Sequence, residues 1–178
     1  MQEPDQHPSL DKKYSGVMWI GFWIVLLALL GYLFGDMLDA MRNPNQQVQT
    51  RIDSSGVREV VLQRNKYGHY NFTGQINGQR VEFLLDTGAT SISIPQTVAD
   101  RIGLKKLYEV QFYTANGLAK GYATEVNEVR VGEIVMRDLQ ASINPNVSDE
   151  IILMGMNFLK QIEFTQTGDK LILRQYAP

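Results

Sequence analysis

The stretch "VEFLLDTGATSIS", residues 81–93, places a carboxylate on a glycine turn directly after a run of core-type residues. Upstream, "YNFTGQINGQRVEFLLD" shows alternating apolar residues on both sides of Asn77-Gly78, which is the strongest short-range signal for a β-hairpin. The predicted hairpin ends by delivering Asp86. The simplest interpretation of Asp86-Thr87-Gly88 alone is a β-turn in which the aspartate accepts a backbone hydrogen bond and the glycine takes a positive φ.

The rest of the folded part also consists mostly of predicted strands. Helical signals are confined to "PQTVADRIGL", residues 95–104, and "MNFLKQI", residues 156–162. The predicted strands and hairpins are "VREVVLQ" from Val57, Ser91 to Ile94, a hairpin about Asn116-Gly117, two strands about Gly132 and a final hairpin at Gly168-Asp169. Short strands with two brief helices indicate a compact, mostly β domain. The hairpin at 70–86 and the strands at 124–143 resemble each other, which suggests an internal two-fold repeat.

Composition limits the chemistry that the chain can carry out. Its 178 residues include 17 basic and 19 acidic ones, so the chain lacks the basic excess that attracts nucleic acid. It contains no cysteine and only two histidines, His7 and His69, which are far apart in the sequence. A disulfide framework, a zinc site and a Ser-His-Asp triad are therefore not expected. We expect no metal, no cofactor and no nucleic-acid partner, and catalysis would rest on carboxylates.

The N-terminal region contains an uncharged apolar run, "VMWIGFWIVLLALLGYLF", residues 17–34. At 1.5 Å per residue this run nearly crosses a hydrocarbon core of ~30 Å, which predicts a transmembrane helix. Aromatic residues near both ends fit a membrane helix better than a buried globular helix. A cleaved signal peptide is the closer alternative, because "LDA" at 38–40 resembles a cleavage site. The run exceeds the ~7 to 15 residues of a signal peptide's apolar region, so an uncleaved signal anchor is favoured.

These observations divide the chain into four predicted parts. They are a short tail at 1–15, a transmembrane signal anchor at 16–35, a polar linker at 36–56 and a folded domain at 57–178. The linker contains Pro44 and shows no sustained apolar period, as expected of a tether. Lys12 and Lys13 lie closer to the apolar run than the arginines on its other side, which favours an N-terminus in the cytoplasm.

Three motifs occur in order along the predicted domain: "FLLDTGA" at 83–89, "YTANGLAKGY" at 113–122 and "ILMGMNFLKQI" at 152–162. This arrangement resembles the retropepsin-like aspartic proteases, the single-lobe family that includes the retroviral proteases, and most closely its bacterial membrane-anchored branch. The resemblance covers essentially all of 57–175. It implies a closed β barrel of the single-lobe acid-protease type with one or two short helices, and an aspartic endopeptidase activity. It also implies a single-pass protein of the bacterial inner membrane whose protease domain lies on the periplasmic side.

The resemblance further implies a role for individual residues. Asp86 would be the catalytic carboxylate. Support of the active-site loop would fall to Thr87, Gly88, Ala89 and Gly155. A flap closing over a peptide or protein substrate would contain Tyr113, Asn116 and Gly117. Ala89 stands where pepsin-like enzymes carry a hydroxyl residue, which predicts activity at a less acidic pH than theirs.

The chain contains a single Asp-Thr-Gly in its folded part. Hydrolysis without a metal or a nucleophilic side chain needs one group to deprotonate a water and another to protonate the carbonyl oxygen. Two carboxylates that share one proton supply both functions. A symmetric homodimer would provide the second carboxylate from the Asp86 of another copy.

Two other functions compete with proteolysis as interpretations of these residues. A membrane-tethered module that dimerises and binds peptides without cleaving them would use the same fold. Such a module gains nothing from two close carboxylates, whose desolvation is costly, so the intact Asp86-Thr87-Gly88 favours catalysis. An aspartyl-phosphate site of the phosphatase or P-type ATPase kind is disfavoured, because those sites belong to an alternating strand-helix pattern that is not found here.

Overall fold

The computed structural model describes residues 11–114 and 117–176. The chain divides into two compact units, with the boundary between Asp39 and Ala40. The first unit consists of most of helix α1 (Asp11–Arg42). Within the described residues, the part of α1 from Gly16 to Arg42 is one helix of 27 residues that is long and apolar enough to cross a membrane, and an 18-residue window within it has a mean hydropathy of 2.3.

The second unit contains eleven strands and two short helices, as far as the described residues show. They are β1 (Thr50–Ile52), β2 (Arg58–Gln63), β3 (Asn71–Ile76), β4 (Gln79–Leu85), β5 (Ile92–Pro95), α2 (Gln96–Arg101), β6 (Glu109–Thr114), β7 (Gly117–Val131), β8 (Ile134–Asn144), β9 (Ile151–Met154), α3 (Met156–Leu159), β10 (Glu163–Thr167) and β11 (Lys170–Gln175). This content confirms the predicted mostly β fold with two short helices.

A closed barrel forms the centre of this unit. Seven strands follow the order β3-β4-β9-β5-β8-β7-β6, and an additional pairing between β3 and β7 closes the sheet on itself. Alternate residues of these strands point inward, and Phe72 and Phe83 stack there with ring centroids 5.4 Å apart. The predicted closed barrel is therefore confirmed.

The hairpin that leads to Asp86 has the turn that its sequence demands. Asn77 and Gly78 connect β3 to β4 and have φ values of 50° and 79°. Positive φ at both central residues is the requirement of a type I′ turn, for which Asn-Gly is the preferred pair. The register then pairs Phe72 with Phe83, so the apolar faces of both strands enter the barrel.

Two hairpins exchange partners at the centre of the barrel. β4 of the first hairpin pairs in parallel with β9, and β8 of the second pairs in parallel with β5. β5 and β9 meet antiparallel at Ser93 and Leu153. Each hairpin is thus completed by the strand that follows the other hairpin, which is the arrangement of an internal two-fold repeat.

A smaller sheet of order β1-β2-β11-β10 packs against the barrel. Its inward side chains, Val60, Leu62, Leu171 and Leu173, belong to the same hydrophobic core. The outer face carries a polar cluster around Arg174.

In that cluster Arg174 bonds Glu59 at 2.8 Å and Glu163 at 3.1 Å, and the Tyr176 hydroxyl donates to Glu163 at 2.5 Å. The hydrogen bond from Tyr176, together with the Arg174 guanidinium, lowers the pKa of the Glu163 carboxyl below its ordinary value. These bonds connect the last described residue, Tyr176, to β10.

The segment predicted as a linker, residues 36–56, is largely part of the folded domain. Asn43 and Asn45 are each only 6% exposed, and the Asn45 amide bonds the backbone of β2 and β3 at 2.7–2.9 Å. The short strand β1 then pairs with β2. The domain unit accordingly begins at Ala40 and not at Val57. The Asn45 side-chain amide bonds backbone groups that a neighbouring strand would otherwise satisfy. This polar segment therefore packs into the domain although its sequence shows no apolar period.

Two local details also differ from the sequence prediction. The helix expected over 156–162 ends at Leu159. The four residues of β9 were not predicted as a strand, because a run of that length carries no clear period of its own.

Candidate active site

Asp86 lies at the end of β4, where the chain turns out of the barrel. Its backbone N–H donates to the carbonyl of Met154 at 3.1 Å, which extends the pairing of β4 with β9 by one residue. Its Oδ1 accepts a hydrogen bond of 2.8 Å from the Gly88 N–H. Its carbonyl accepts from the Ala89 N–H at 3.2 Å. Asp86 is half-buried, so a backbone donor orients a carboxylate that solvent still reaches.

We call residues 86–91 the aspartate loop. Thr87 and Gly88 are exposed within it, and Ala89 is half-buried. A Cβ atom added to Gly88 would lie 3.1 Å from Asp86 Oδ1, which is tighter than an ordinary contact. Glycine at this position therefore leaves room for the bond between its own N–H and the carboxylate.

Gly155 holds the aspartate loop from the side. A Cβ atom at Gly155 would lie 2.4 Å from the carbonyl oxygen of Ser91 and 2.7 Å from that of Ala89. The backbone of the loop approaches so closely that only glycine fits. The next residue, Met156, donates its N–H to the same Ala89 carbonyl at 2.8 Å.

Asn157 connects the aspartate loop to the barrel, a position that the sequence analysis did not identify. Its N–H donates to the Thr90 carbonyl at 3.0 Å, and its Oδ1 accepts from the Ile92 N–H at 3.1 Å. Its Nδ2 donates to the Gln140 carbonyl of β8 at 2.7 Å. One side chain thus joins β5, β8 and the start of α3. The available signal was an amide in the first turn of a predicted helix, where such residues often bond nearby backbone.

The hairpin of β6 and β7 projects from the barrel. Tyr113 pairs with Leu118 and Thr114 with Gly117. Gly117 has a φ of +105°, a conformation that glycine adopts readily. Asn116, which was predicted to lie in the flap, is outside the described residues. At the base, a Cβ on Gly121 would lie 2.4 Å from the Ile143 carbonyl, so the hairpin leaves β8 at a point of close backbone approach.

The predicted site residues therefore fall into two groups. Asp86, Thr87, Gly88, Ala89 and Gly155 form one cluster joined by backbone contacts. Tyr113 and Gly117 lie on the β6–β7 hairpin. Within the described part of the chain, no group of three or more His, Cys, Asp or Glu side chains could hold a metal ion.

Comparison with known proteins agrees with this fold. Residues 72–161 match the family described as "gag-polyprotein putative aspartyl protease". The crystal structure of a retropepsin-like aspartic protease from Rickettsia conorii superposes with a TM-score of 0.57 and 28% identity, covering 74% of this chain and 97% of that one. The matched span runs from the second residue of β3 to beyond the end of α3 and hence includes the whole aspartate loop.

Two curated relatives are themselves uncharacterized. A protein encoded in the cobV 5′ region of a Sinorhizobium species is 33% identical over 173 residues, which cover 90% of this chain and 74% of the relative. A protein of Rickettsia prowazekii strain Madrid E is 25% identical over 162 residues, which cover 89% of this chain and 69% of the relative.

The fold and the family match define a single-lobe aspartic protease of the retropepsin-like class. The chain belongs to the gag-polyprotein aspartyl protease family. The resemblance predicted from the three sequence motifs is confirmed.

Proposed function

We propose that the protein is a membrane-anchored aspartic endopeptidase whose active site contains Asp86 from each of two copies of the chain. The observation that carries the proposal is the half-buried Asp86 carboxylate, fixed by the Gly88 N–H at 2.8 Å on a loop that Gly155 holds in place. A peptide-binding module would not need an ionisable group oriented in this way.

The chemistry follows from the single Asp-Thr-Gly in each folded domain. Two carboxylates held a few ångströms apart cannot both ionise easily, so the pair retains one proton. The ionised member removes a proton from a water as the water attacks the scissile carbonyl carbon. The protonated member donates its proton to the carbonyl oxygen, which gives a tetrahedral intermediate with two hydroxyl groups. The proton taken from the water then passes to the amide nitrogen as the C–N bond breaks, and one hydroxyl of the intermediate returns a proton to the other carboxylate. The products are an acid and an amine, and the pair again holds one proton.

Other residues would support this pair. Thr87, exposed beside Asp86, would bond across to the loop of the second copy and hold the two carboxylates coplanar. Gly88 and Ala89 would keep the loop narrow, and Gly155 would position it. The residues of the β6–β7 hairpin assigned to a flap over the peptide are Tyr113, Asn116 and Gly117.

Membrane attachment would occur through residues 16–35, which lie within the apolar part of α1. Lys12 and Lys13 precede this part, and the positive-inside rule then assigns the N-terminus to the cytoplasm. The protease domain would lie on the periplasmic side of a bacterial inner membrane. A single-pass anchor also confines the copies to two dimensions and raises their effective concentration, which favours the dimer.

The test combines a substitution with a mixing experiment. The purified full chain is incubated in detergent with an unfolded protein and a peptide library, and Asp86→Asn is compared with wild type. We expect cleavage by the wild type alone, with inhibition by pepstatin-like compounds. At a fixed total concentration of mixed chains, activity should fall as the square of the wild-type fraction, because only wild-type pairs carry two aspartates.

A linear fall in that mixture would mean that each chain acts independently and would overturn the two-copy site. Binding of peptides with no cleavage by the wild type between acidic and neutral pH would identify the non-catalytic peptide-binding module instead.

A further inference from the structure

A concave surface distinct from the aspartate loop lies beside the N-terminal segment of the domain. It has a volume of about 290 Å³. Residues 46–48 form one wall, residues 73–75 of β3 line its length, and Arg80, Arg130 and Gly132 complete it. A volume near 300 Å³ lies at the lower end of small-ligand sites and suits a compact polar group. We call this surface the arginine groove.

The wall of the arginine groove is held firmly. The Thr73 N–H donates to the Asn45 carbonyl at 3.0 Å, and the Asn43 amide donates to the Thr73 hydroxyl at 3.2 Å. Arg80 Nη2 donates to the Gln46 carbonyl at 3.3 Å from across the groove. These bonds fix residues 43–46 on β3, so the groove is built before any ligand arrives.

The arginine groove is electropositive. None of the described residues that line it is acidic, and Arg80 makes no ion pair within the described part of the chain. Glu128, just outside the lining, bonds Arg130 at 2.8 Å with one oxygen and Arg137 at 3.4 Å with the other. Glu128 is thus shared between Arg130 and Arg137 and neutralises the charge of Arg130 only in part. Gln46, Gln47 and Gln75 add neutral amide donors, a composition that favours a phosphate oxyanion.

The position along the chain indicates where such a phosphate comes from. The segment proposed as the anchor, residues 16–35, spans roughly 30 Å of helix, the thickness of a hydrocarbon core. Arg42 lies seven residues further along the same helix, about 10 Å beyond the anchor and at the level of the headgroups. Gln46 follows four residues later, within about 14 Å of chain length. Basic pockets at this level bind the headgroups of anionic lipids.

We propose that the arginine groove binds the phosphate headgroup of an anionic phospholipid, with Arg80 and Arg130 as the cationic contacts. The inference rests on the membrane placement in the proposed function but not on catalysis. Binding of this kind would hold the protease domain against the bilayer through a second contact besides the helix.

The experiment uses the full chain in dodecyl maltoside micelles at fixed ionic strength. Phosphatidylglycerol or phosphatidylcholine with matched acyl chains is added, and native mass spectrometry counts the lipids retained. The variants are Arg80→Gln, the charge-conserving Arg80→Lys and the matched control Arg101→Gln, which removes an exposed arginine whose ion-pair contact with Glu150 is 3.9 Å. A parallel arm replaces the lipid with inorganic phosphate and with glycerol phosphate.

We expect the wild type to retain phosphatidylglycerol in preference to phosphatidylcholine. Arg80→Gln should weaken that retention about five-fold, the effect of one interfacial arginine, while Arg80→Lys and Arg101→Gln stay close to wild type. Arg80 and Arg101 are exposed, so we expect each variant to keep the wild-type fold. Circular dichroism of each variant verifies this.

Three outcomes would overturn the inference. They are equal retention of the two lipids, an Arg80→Gln variant that binds like wild type, and inorganic phosphate that binds as tightly as the lipid.

Peptide cleavage in micelles should be unchanged by Arg80→Gln. A wild-type chain that is extracted from membranes by alkaline carbonate would overturn the membrane placement itself, whereas a membrane-held chain with no lipid preference would overturn only the groove.

Discussion

The backbone of Gly155 touches the carbonyl oxygen of Ser91 so closely that a Cβ on Gly155 would lie 2.4 Å from it. The atoms in the way belong to the main chain and cannot rotate aside. The turn between β9 and α3 therefore fixes the path of the aspartate loop.

Gly155→Ala should lower the free energy of unfolding by about 1–3 kcal/mol, the usual cost of overpacking, and abolish cleavage. Gly88→Ala is the matched comparison, since its Cβ would meet the Asp86 carboxylate at 3.1 Å and not the backbone. It should leave stability close to wild type and reduce activity, because the carboxylate must shift. Urea unfolding and peptide cleavage measure the two effects. Equal stability of Gly155→Ala and wild type would contradict the close contact.

Asn157→Ala should destabilise the domain by about 2 kcal/mol, because the Ile92 N–H and the Gln140 carbonyl each lose a partner. Hydrogen exchange at Ile92 should accelerate before the rest of the barrel opens. Gln161→Ala is the control, since its side chain makes one exposed hydrogen bond to the Asn157 carbonyl, and its effect should stay within about 0.5 kcal/mol. Unchanged protection at Ile92 would show that Asn157 does not hold the loop.

Ala89→Ser should move the pH–activity profile toward acid by about half to one pH unit, the equivalent of one added hydrogen bond to the ionised pair. Ala89→Gly removes the methyl group without adding a hydroxyl and should not shift the profile in that direction. The measurement is cleavage of one peptide over the full range of activity. If the pH–activity profile of Ala89→Ser coincides with that of the wild type, the missing hydroxyl is not what sets the pH of activity.

Glu163→Gln should destabilise the domain at neutral pH and lose that effect in acid. The folded-state pKa of Glu163 is lowered by Tyr176 and Arg174 from an ordinary value of 4.5. The contribution of Glu163 to the free energy of unfolding is therefore complete above about pH 4.5. It disappears as the pH falls through the lower folded-state pKa. Urea midpoints of wild type and variant should converge below pH 4.5. Glu125→Gln, an exposed control, should show no such convergence, and a constant gap for Glu163→Gln would refute the prediction.

The extent of the folded unit can be tested by truncation. A chain that begins at Ala40 keeps the buried Asn43 and Asn45 and should unfold cooperatively in urea. A chain that begins at Val57 loses β1 and the Asn45 bonds to β2 and β3, so it should be markedly less stable. Asn45→Ala in the longer chain should fall between the two. Equal urea midpoints for the two truncations would restore the predicted boundary at Val57.

The sequence predicted the fold well where a local pattern carries the information. Asn77-Gly78 requires positive φ, and the alternation on both sides sets the register, so the hairpin that ends at Asp86 followed directly. The order of three motifs then indicated the family, and Gly155 was identified as a support of the loop without knowledge of its distances. The hairpin depends on neighbours in the chain, whereas the motif order and the role of Gly155 followed from the family resemblance.

The features that were missed depend on partners distant in sequence. Asn45 appears in a polar stretch, and only the carbonyls of β2 and β3 explain why it is buried. Asn157 gains its importance from Ile92 of β5 and Gln140 of β8, which precede it by 65 and 17 residues. β9 is recognisable as a strand only between β4 and β5. Single residues that join separate elements leave no periodic signal for a sequence to show.

The exchange of strands between the two hairpins has a consequence for biosynthesis. Asp86 leaves the ribosome about 70 residues before Gly155 to Asn157, the residues that contact the aspartate loop. Until those residues and β9 emerge, the nascent polypeptide has the aspartate without the contacts that give the loop its path. The loop therefore forms late in synthesis relative to the hairpin that carries Asp86.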